Sequence, residues 1–393
     1  MKKYFVLILL FAVLNGCQES PTSVGGGILN SSDLLSVSLI NSYDANFAQT
    51  TKNFQKKINL GAASRVLIGK YENLTSSGLI KYSFVLPDSV SLAVQNNKLS
   101  VLKSWMELPV TYRIGDISTL NFQLKKILSP WTSVGFNEDS LSGISLDNTN
   151  LISSSIHKTD SLISFSVQND FGFEWIKNQV NEQRTLNRGV IFEPQSGTNA
   201  MVGFPALVSA ISKDNLPKLY CQVSYDGKLD TVIAYSSTDL HVIKNNNSLS
   251  GDDKIVLQSG TGLRTNLWFD LSAIPVNAII SDAKLILYRD SVLTTTGSIT
   301  SDSVFVNALF DSTTDSIYTG LNSRLLARKG NIYEGRIFDI VQYWLSSVSK
   351  NQGLQLRIVS EDSNINKLVF KGSSYSDAAL RPRLVIFLSN IDN

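Results

Sequence analysis

Cysteine and histidine are nearly missing from this chain, with two of each in 393 residues. So small a supply leaves almost nothing for a thiolate or imidazole metal site. Neither His157 nor His241 has a second histidine four residues away, as a zinc-binding helix needs. Each lies in a polar segment, which predicts a surface position. No Gly-x-Ser-x-Gly elbow is present for a hydrolase nucleophile, and no glycine loop for a phosphate. A dominant charge is missing too. Lys and Arg number 35 against 33 Asp and Glu; without Lys2 and Lys3, which fall in a removable leader, the two signs balance at 33 each. That balance excludes a global attraction to nucleic acid or to an anionic membrane surface. Long apolar runs are lacking as well. The run at residues 4–14 has 11 residues, against about 20 needed to span a bilayer as a helix.

What is present at the start is a short basic segment, that apolar run, and Asn15-Gly16 before Cys17, the pattern of a secretory signal peptide over residues 1–16. The ending Leu14-Asn15-Gly16-Cys17 resembles the bacterial lipoprotein lipobox, with an apolar residue at −3, Gly at −1 and Cys at the cut site. The resemblance implies cleavage after Gly16, thioether lipidation of Cys17 and acylation of the new N-terminus. The rival reading is a plain secretory signal. Two or three acyl chains, at about 0.8 kcal/mol per buried methylene, make a permanent membrane anchor. Residues 17–32 lack apolar periodicity and carry Gly25-Gly26-Gly27, so they read as the lipidated Cys and a flexible tether. No Asp follows Cys17, which points to the outer membrane or cell surface.

Beyond the tether, short β-branched and aromatic runs alternate at period two between Ser, Asn and Asp clusters. Leu267-Trp268-Phe269-Asp270-Leu271 and Leu384-Val385-Ile386-Phe387-Leu388 are examples. The chain reads as all-β, and its length suggests two domains. An internal repeat supports this. Val66-Leu67 matches Val256-Leu257, and Ile80-Lys81-Tyr82-Ser83-Phe84 matches Leu267 through Leu271. Leu92-Ala93-Val94 matches Ala278-Ile279-Ile280, Phe165-Ser166-Val167 matches Phe338-Asp339-Ile340, and Trp175 matches Trp344. Gly189 then meets Gly353, and Leu216-Pro217-Lys218-Leu219 meets Arg381-Pro382-Arg383-Leu384. Matches in one order over so long a period indicate domain duplication. The expected units are 33–228 and 229–393. One apolar face per strand needs a second layer to cover it, which a β-sandwich supplies.

The second copy resembles DNRLRE-type domains. The resemblance is carried by Phe269-Asp270-Leu271-Ser272 with Pro275, by Ile280, Ala283, Leu285 and Leu287, by Phe338-Asp339-Ile340 with Trp344, by Asn351-Gln352-Gly353, and by Arg381-Pro382-Arg383. It covers residues 231–389, and residues 35–225 more weakly. It implies two tandem jelly-roll-type β-sandwiches, similar to carbohydrate-binding modules, on a secreted or surface-anchored protein. The signature that names the family is not spelled out, and the first copy replaces Phe-Asp-Leu by Tyr82-Ser83-Phe84.

Stacking on a sugar ring makes tryptophan the first candidate for a ligand site. Trp175 and Trp344 recur in both copies, which favours the core, and the pattern around Trp344 predicts a short helix. Trp268 points to the outer face of its strand where the first copy has Lys81. Trp105 and Trp131 also lack aromatic counterparts. An exposed Trp offers rigid amphipathic area to a glycan or a protein, and these three are the ligand-binding candidates, against the simpler reading of rim or inter-domain packing. The family resemblance adds a structural parallel for Trp131. The loop at residues 244–253 gathers Asn, Ser and Asp oxygens beside Gly251, as calcium prefers, but has no EF-hand spacing and reads as turn chemistry. No metal or cofactor is assigned. Glu138-Asp139 and Glu361-Asp362 read as solvated pairs. Cys221 alternates with Leu219 and Val223 and reads as a small buried hydrophobe; with Cys17 lipidated it has no disulfide partner. The expected function is a non-catalytic, lipid-anchored surface protein binding an extracellular polysaccharide, and no nucleic acid. The alternatives are a structural or adhesive lipoprotein with protein partners, and a polysaccharide-degrading enzyme with a cluster assembled from distant strands.

Overall fold

The computed structural model describes residues 35–391 apart from 182, 246–248, 276–277, 301–302 and 348–349. The leader, Cys17 and the tether lie outside the described residues. Strands β1 (Leu35–Asn41) and β2 (Gln49–Gln55) come first. The first copy continues as β3 (Arg65–Tyr71), β4 (Leu74–Phe84), helix α1 (Asp88–Gln95), β5 (Ser100–Pro109), β6 (Tyr112–Gly115), β7 (Phe122–Lys126) and helix α2 (Glu138–Ser142). Then follow β8 (His157–Lys158), β9 (Leu162–Val167), helix α3 (Asn169–Val180), β10 (Val190–Pro194), β11 (Ala200–Pro205), β12 (Lys218–Tyr225) and β13 (Lys228–Asn245). The second copy runs through β14 (Lys254–Gln258), β15 (Leu263–Phe269), β16 (Ile279–Tyr288), β17 (Ser303–Asp311), β18 (Ser316–Ile317) and β19 (Arg324–Lys329). It ends with β20 (Ile332–Arg336), helix α4 (Phe338–Leu345), β21 (Leu354–Ile358), β22 (Lys367–Lys371) and β23 (Arg383–Ile391). The chain is all-β, built on two large antiparallel sheets that form β-sandwiches.

Period-two patterning decides the faces. In β12, Leu219, Cys221, Val223 and Tyr225 are buried while the residues between them are part-exposed. In β4, Ile80, Tyr82 and Phe84 enter the first core, and in β15 Leu267 and Phe269 enter the second. The first core gathers Met106 and Leu219 from β5 and β12 with Ile68 and Val202 from β3 and β11, strands of one curled sheet. A fully buried side chain of this size contributes about 1.5–3 kcal/mol. Helices α3 and α4 plug the cores with Trp175 and Trp344, as the repeat implies.

The two halves have the same pairings. β3 pairs β4 and β11 as β14 pairs β15 and β22, and β5 pairs β9 and β12 as β16 pairs β20 and β23. Val190 faces Ile80 and Leu354 faces Leu267, so Gly189 and Gly353 are true counterparts. The middle of the sequence match is out of register. Met106 faces Phe165 while its counterpart Leu285 faces Gly335, so Phe165 corresponds to Gly335 rather than Phe338. Leu92-Ala93-Val94 belongs to α1, whereas Ala278-Ile279-Ile280 leads into β16. Short apolar runs satisfy a helix and a strand equally well, which is why the match slipped there.

The boundary expected at 228/229 does not follow the sheets. The long strand β13 pairs with β12 up to Tyr235 and with β4 from Ala234 onward, with a register shift between Ser236 and Thr238, so residues up to Asn245 complete the first sandwich. In the second sandwich the same two places are taken by the start of the chain: β1 pairs β23, and β2 pairs β15. The strand that leads into the second copy thus closes the first sandwich, and the strands that lead into the first copy close the second. The leading strands of the two repeats are exchanged. A seam joins the sandwiches, where buried Tyr112 donates from Oη to Asn366 Oδ1 at 3.1 Å and Ile365 packs with Leu67 and Met201.

Candidate functional site

The exchange places β2 beside β15, with Thr50 opposite Trp268, Gln49 opposite Phe269 and Lys52 opposite Asn266. Trp268 stands part-exposed on the outer side of β15. Its indole Nε1 donates to the Asn351 carbonyl at 3.2 Å, which fixes the ring. Asn351 in turn donates from Nδ2 to the Phe269 carbonyl at 2.9 Å, so its Oδ1 is the free end. Two cavities flank the ring. One, of about 220 Å³, is walled by Asp270, Leu271, Ile274, Trp344, Leu345 and Asn351. The other, of about 340 Å³, is lined by Thr50, Lys52, Asn266, Ser312 and Gln352. Asn266 donates from Nδ2 to Asp315 Oδ1 at 2.5 Å, and the Lys52 ammonium stands 3.3 Å from the same carboxylate oxygen.

Three buried polar atoms of residues lining these cavities have no hydrogen-bond partner among the described residues: Asn266 Oδ1, Asn351 Oδ1 and Trp344 Nε1. A buried polar group left unpaired costs about 1–3 kcal/mol, so these atoms call for a water or a ligand group as partner. Aromatic area between two cavities, edged by amide groups, the Lys52 ammonium and the Asp270 and Asp315 carboxylates, suits stacking and hydrogen bonding to a polyhydroxylated ligand.

The first sandwich closes the equivalent place. Lys81 occupies the Trp268 position, where it donates to the Trp131 carbonyl at 2.7 Å and lies 4.4 Å from the centroid of the Trp131 ring; burial lowers its pKa. Trp131 is only 8% exposed and donates from Nε1 to the Arg188 carbonyl at 2.6 Å. With Phe136 it covers Leu79, Ile191, Leu240 and Val242. The connection from β7 to β8 spans residues 127–156 and carries this cover, whereas the one from β17 to β19 spans only 312–323. Trp105 lies elsewhere, on the outer face of β5. Its ring is stacked on Tyr220 at 4.9 Å and 3°, with the Lys103 ammonium 5.1 Å from its centroid. Burial and the nearby Glu107 carboxylate push the Tyr220 hydroxyl up to about 12. The structure does not bring Trp105, Trp131 and Trp268 together.

The chain matches no known family model and no curated protein. Among the described residues no three His, Cys, Asp or Glu side chains gather to hold a metal ion. Of the loop at 244–253, residues 246–248 lie outside the described set. The Ser250 and Gly251 carbonyls accept from Asn53 Nδ2, and Asp252 accepts from Ser374 Oγ at 2.7 Å. Cys221 is buried at an inward position, and His157 is exposed. Two expectations need correction. His241 is fully buried, because the second half of β13 is covered on both sides. Glu361 is buried as well, in a bidentate pair with Arg264 (Nε to Oε1 2.9 Å, Nη2 to Oε2 2.6 Å), which offsets its desolvation. Sequence reading missed Thr50 and Lys52, more than 200 residues from Trp268. Asn351 was legible only as part of the Asn351-Gln352-Gly353 turn.

Proposed function

We propose that this chain is a lipid-anchored, non-catalytic protein of the bacterial cell envelope that binds an extracellular glycan through the Trp268 groove of its second sandwich. The observation that carries this reading is Trp268 itself: a pinned, part-exposed indole between two cavities, at a position that the first sandwich fills with Lys81 and covers with Trp131. The unpartnered amide oxygens beside it suit sugar hydroxyls, each of which can donate. The anchor rests on the signal peptide and the Leu14-Asn15-Gly16-Cys17 lipobox, and the likeness to DNRLRE-type domains supports a carbohydrate-binding role on the surface of the cell.

A glycan-array screen of residues 31–393, with calcium supplied and chelated, tests the reading. The expected result is reproducible binding to one sugar class that Trp268→Ala weakens by roughly tenfold or more while the thermal midpoint moves by only a few degrees. Silence across the array from a folded protein would overturn glycan binding and direct the search to protein partners.

A further inference from the structure

The two sandwiches place equivalent helices against equivalent strands, so a difference between them at one spot is informative. In the first, Trp175 Nε1 donates to the Tyr82 carbonyl at 3.2 Å. In the second, the counterpart carbonyl, that of Phe269, accepts from Asn351 Nδ2 instead. Trp344 Nε1 is left without a partner, on a side chain 1% exposed, and Asn351 Oδ1 is left without one too. The covering element also differs. Helix α1 buries Val90, Ala93 and Val94 over the first core, while the described residues between β15 and β16 form only turns. The cavity of about 220 Å³ opens where that cover is thin, and Leu271, Ile274 and Leu345 give it an apolar wall.

The cavity beside Trp268 therefore combines an unmatched N–H donor, an unmatched amide acceptor and an apolar wall. Resting on the glycan reading of the groove, we propose that this cavity takes the acetamido group of an N-acetylhexosamine in a polysaccharide chain. The acetyl methyl packs on Leu271, Ile274 and Leu345, the acetamido carbonyl accepts from Trp344 Nε1, and the acetamido N–H donates to Asn351 Oδ1. The sugar ring itself lies on Trp268. A plain hydroxyl in the same place leaves the apolar wall empty, and a deoxy-sugar methyl leaves both polar atoms unpaired, so the site discriminates against both.

Calorimetric titration of residues 31–393 with chitotetraose, its fully deacetylated form and cellotetraose tests this, together with saturation-transfer NMR on the acetyl methyl. The expected result is chitotetraose tighter than either competitor by roughly tenfold or more, with the strongest saturation on the methyl. Trp344→Phe, which keeps an aromatic ring and removes the donor, is expected to cut that preference severalfold. Equal affinity for chitotetraose and cellotetraose would overturn the acetamido assignment and leave glycan binding standing. Saturation confined to ring protons would overturn it even if chitotetraose were preferred, and needs no variant to fold. Failure of every oligosaccharide, here and on the array, would overturn the glycan reading beneath it.

Discussion

His241 and Asn53 occupy counterpart positions, opposite Gly78 and Thr265. Asn53 is fully engaged: its Oδ1 accepts from Val256 N and Thr265 Oγ1, and its Nδ2 donates to the carbonyls of Ser250, Gly251 and Lys254. His241 is fully buried and its ring nitrogens make no close hydrogen bond; burial, only partly offset by the Arg65 backbone, holds its pKa down to about 3. The unfolded imidazole protonates near pH 6.5 and the folded one only near 3, so between those values the unfolded chain binds the extra proton. Stability falls as pH drops below about 6.5, by up to about 1.4 kcal/mol per unit from this group. Asp239, two residues away, acts in the opposite sense, since burial raises its carboxyl pKa. Comparing the parent with His241→Leu in urea at pH 7 and pH 4.5 isolates the imidazole. The variant is expected to gain about 2–3 kcal/mol relative to the parent on acidification. A difference that stays constant with pH would mean that the folded imidazole takes up protons freely.

At the scale of elements, the most telling match between the copies is a pair of glycines. Gly189 and Gly353 immediately precede β10 and β21 with φ of +97° and +93°. A Cβ at either would press on the carbonyl oxygen of the facing strand, 2.6 Å from Ile80 O and 2.9 Å from Leu267 O. Left-handed backbone and lack of room act together, so alanine at each position is expected to cost about 1–3 kcal/mol, with Gly189→Ala the worse. Guanidinium unfolding measures this; a cost below about 0.5 kcal/mol at both would show that the turns relax freely. These glycines were legible because a backbone demand is local. The lack of an α1 counterpart among the described residues between β15 and β16, and the shorter cover over β15, were not. Both are changes in what lies above a strand, and the strand's own pattern does not record its cover.

For the molecule as a whole, the exchange of leading strands ties the two sandwiches into one unit. Strand β2 forms one wall of the Trp268 groove, so on the proposed glycan reading a bound ligand and the seating of β2 would stabilise each other by linkage. Crosslinking tests the exchange directly. Leu39 lies opposite Phe387 in β23, one step from the hydrogen-bonded Ile40–Ile386 pair, where Cβ atoms approach closely enough for a disulfide. The position equivalent to Phe387 in the first sandwich is Gln222. Mild oxidation of Leu39→Cys/Phe387→Cys is expected to give an intramolecular disulfide in the monomer, and Leu39→Cys/Gln222→Cys none. The reverse pattern would place β1 in the first sandwich. With β2 and β13 crossing between the copies, a single unfolding transition is also expected.

Local alternation, the glycine turns and the recurrence of Trp175 and Trp344 were enough to specify an all-β chain, its duplication and most inward-facing residues. Each of these depends on neighbours a few residues apart or on one copy echoing the other. The partner of each leading strand was decided only by the tertiary structure. β1 offers Ile40 to the core of the second sandwich, and β13 offers Val232 and Ala234 to the first. Period two states which face turns inward without stating which sheet receives it, so segments of similar pattern fit either sandwich. For the same reason the composition of the groove, with Thr50 and Lys52 beside Trp268, emerges only when strands more than 200 residues apart come together.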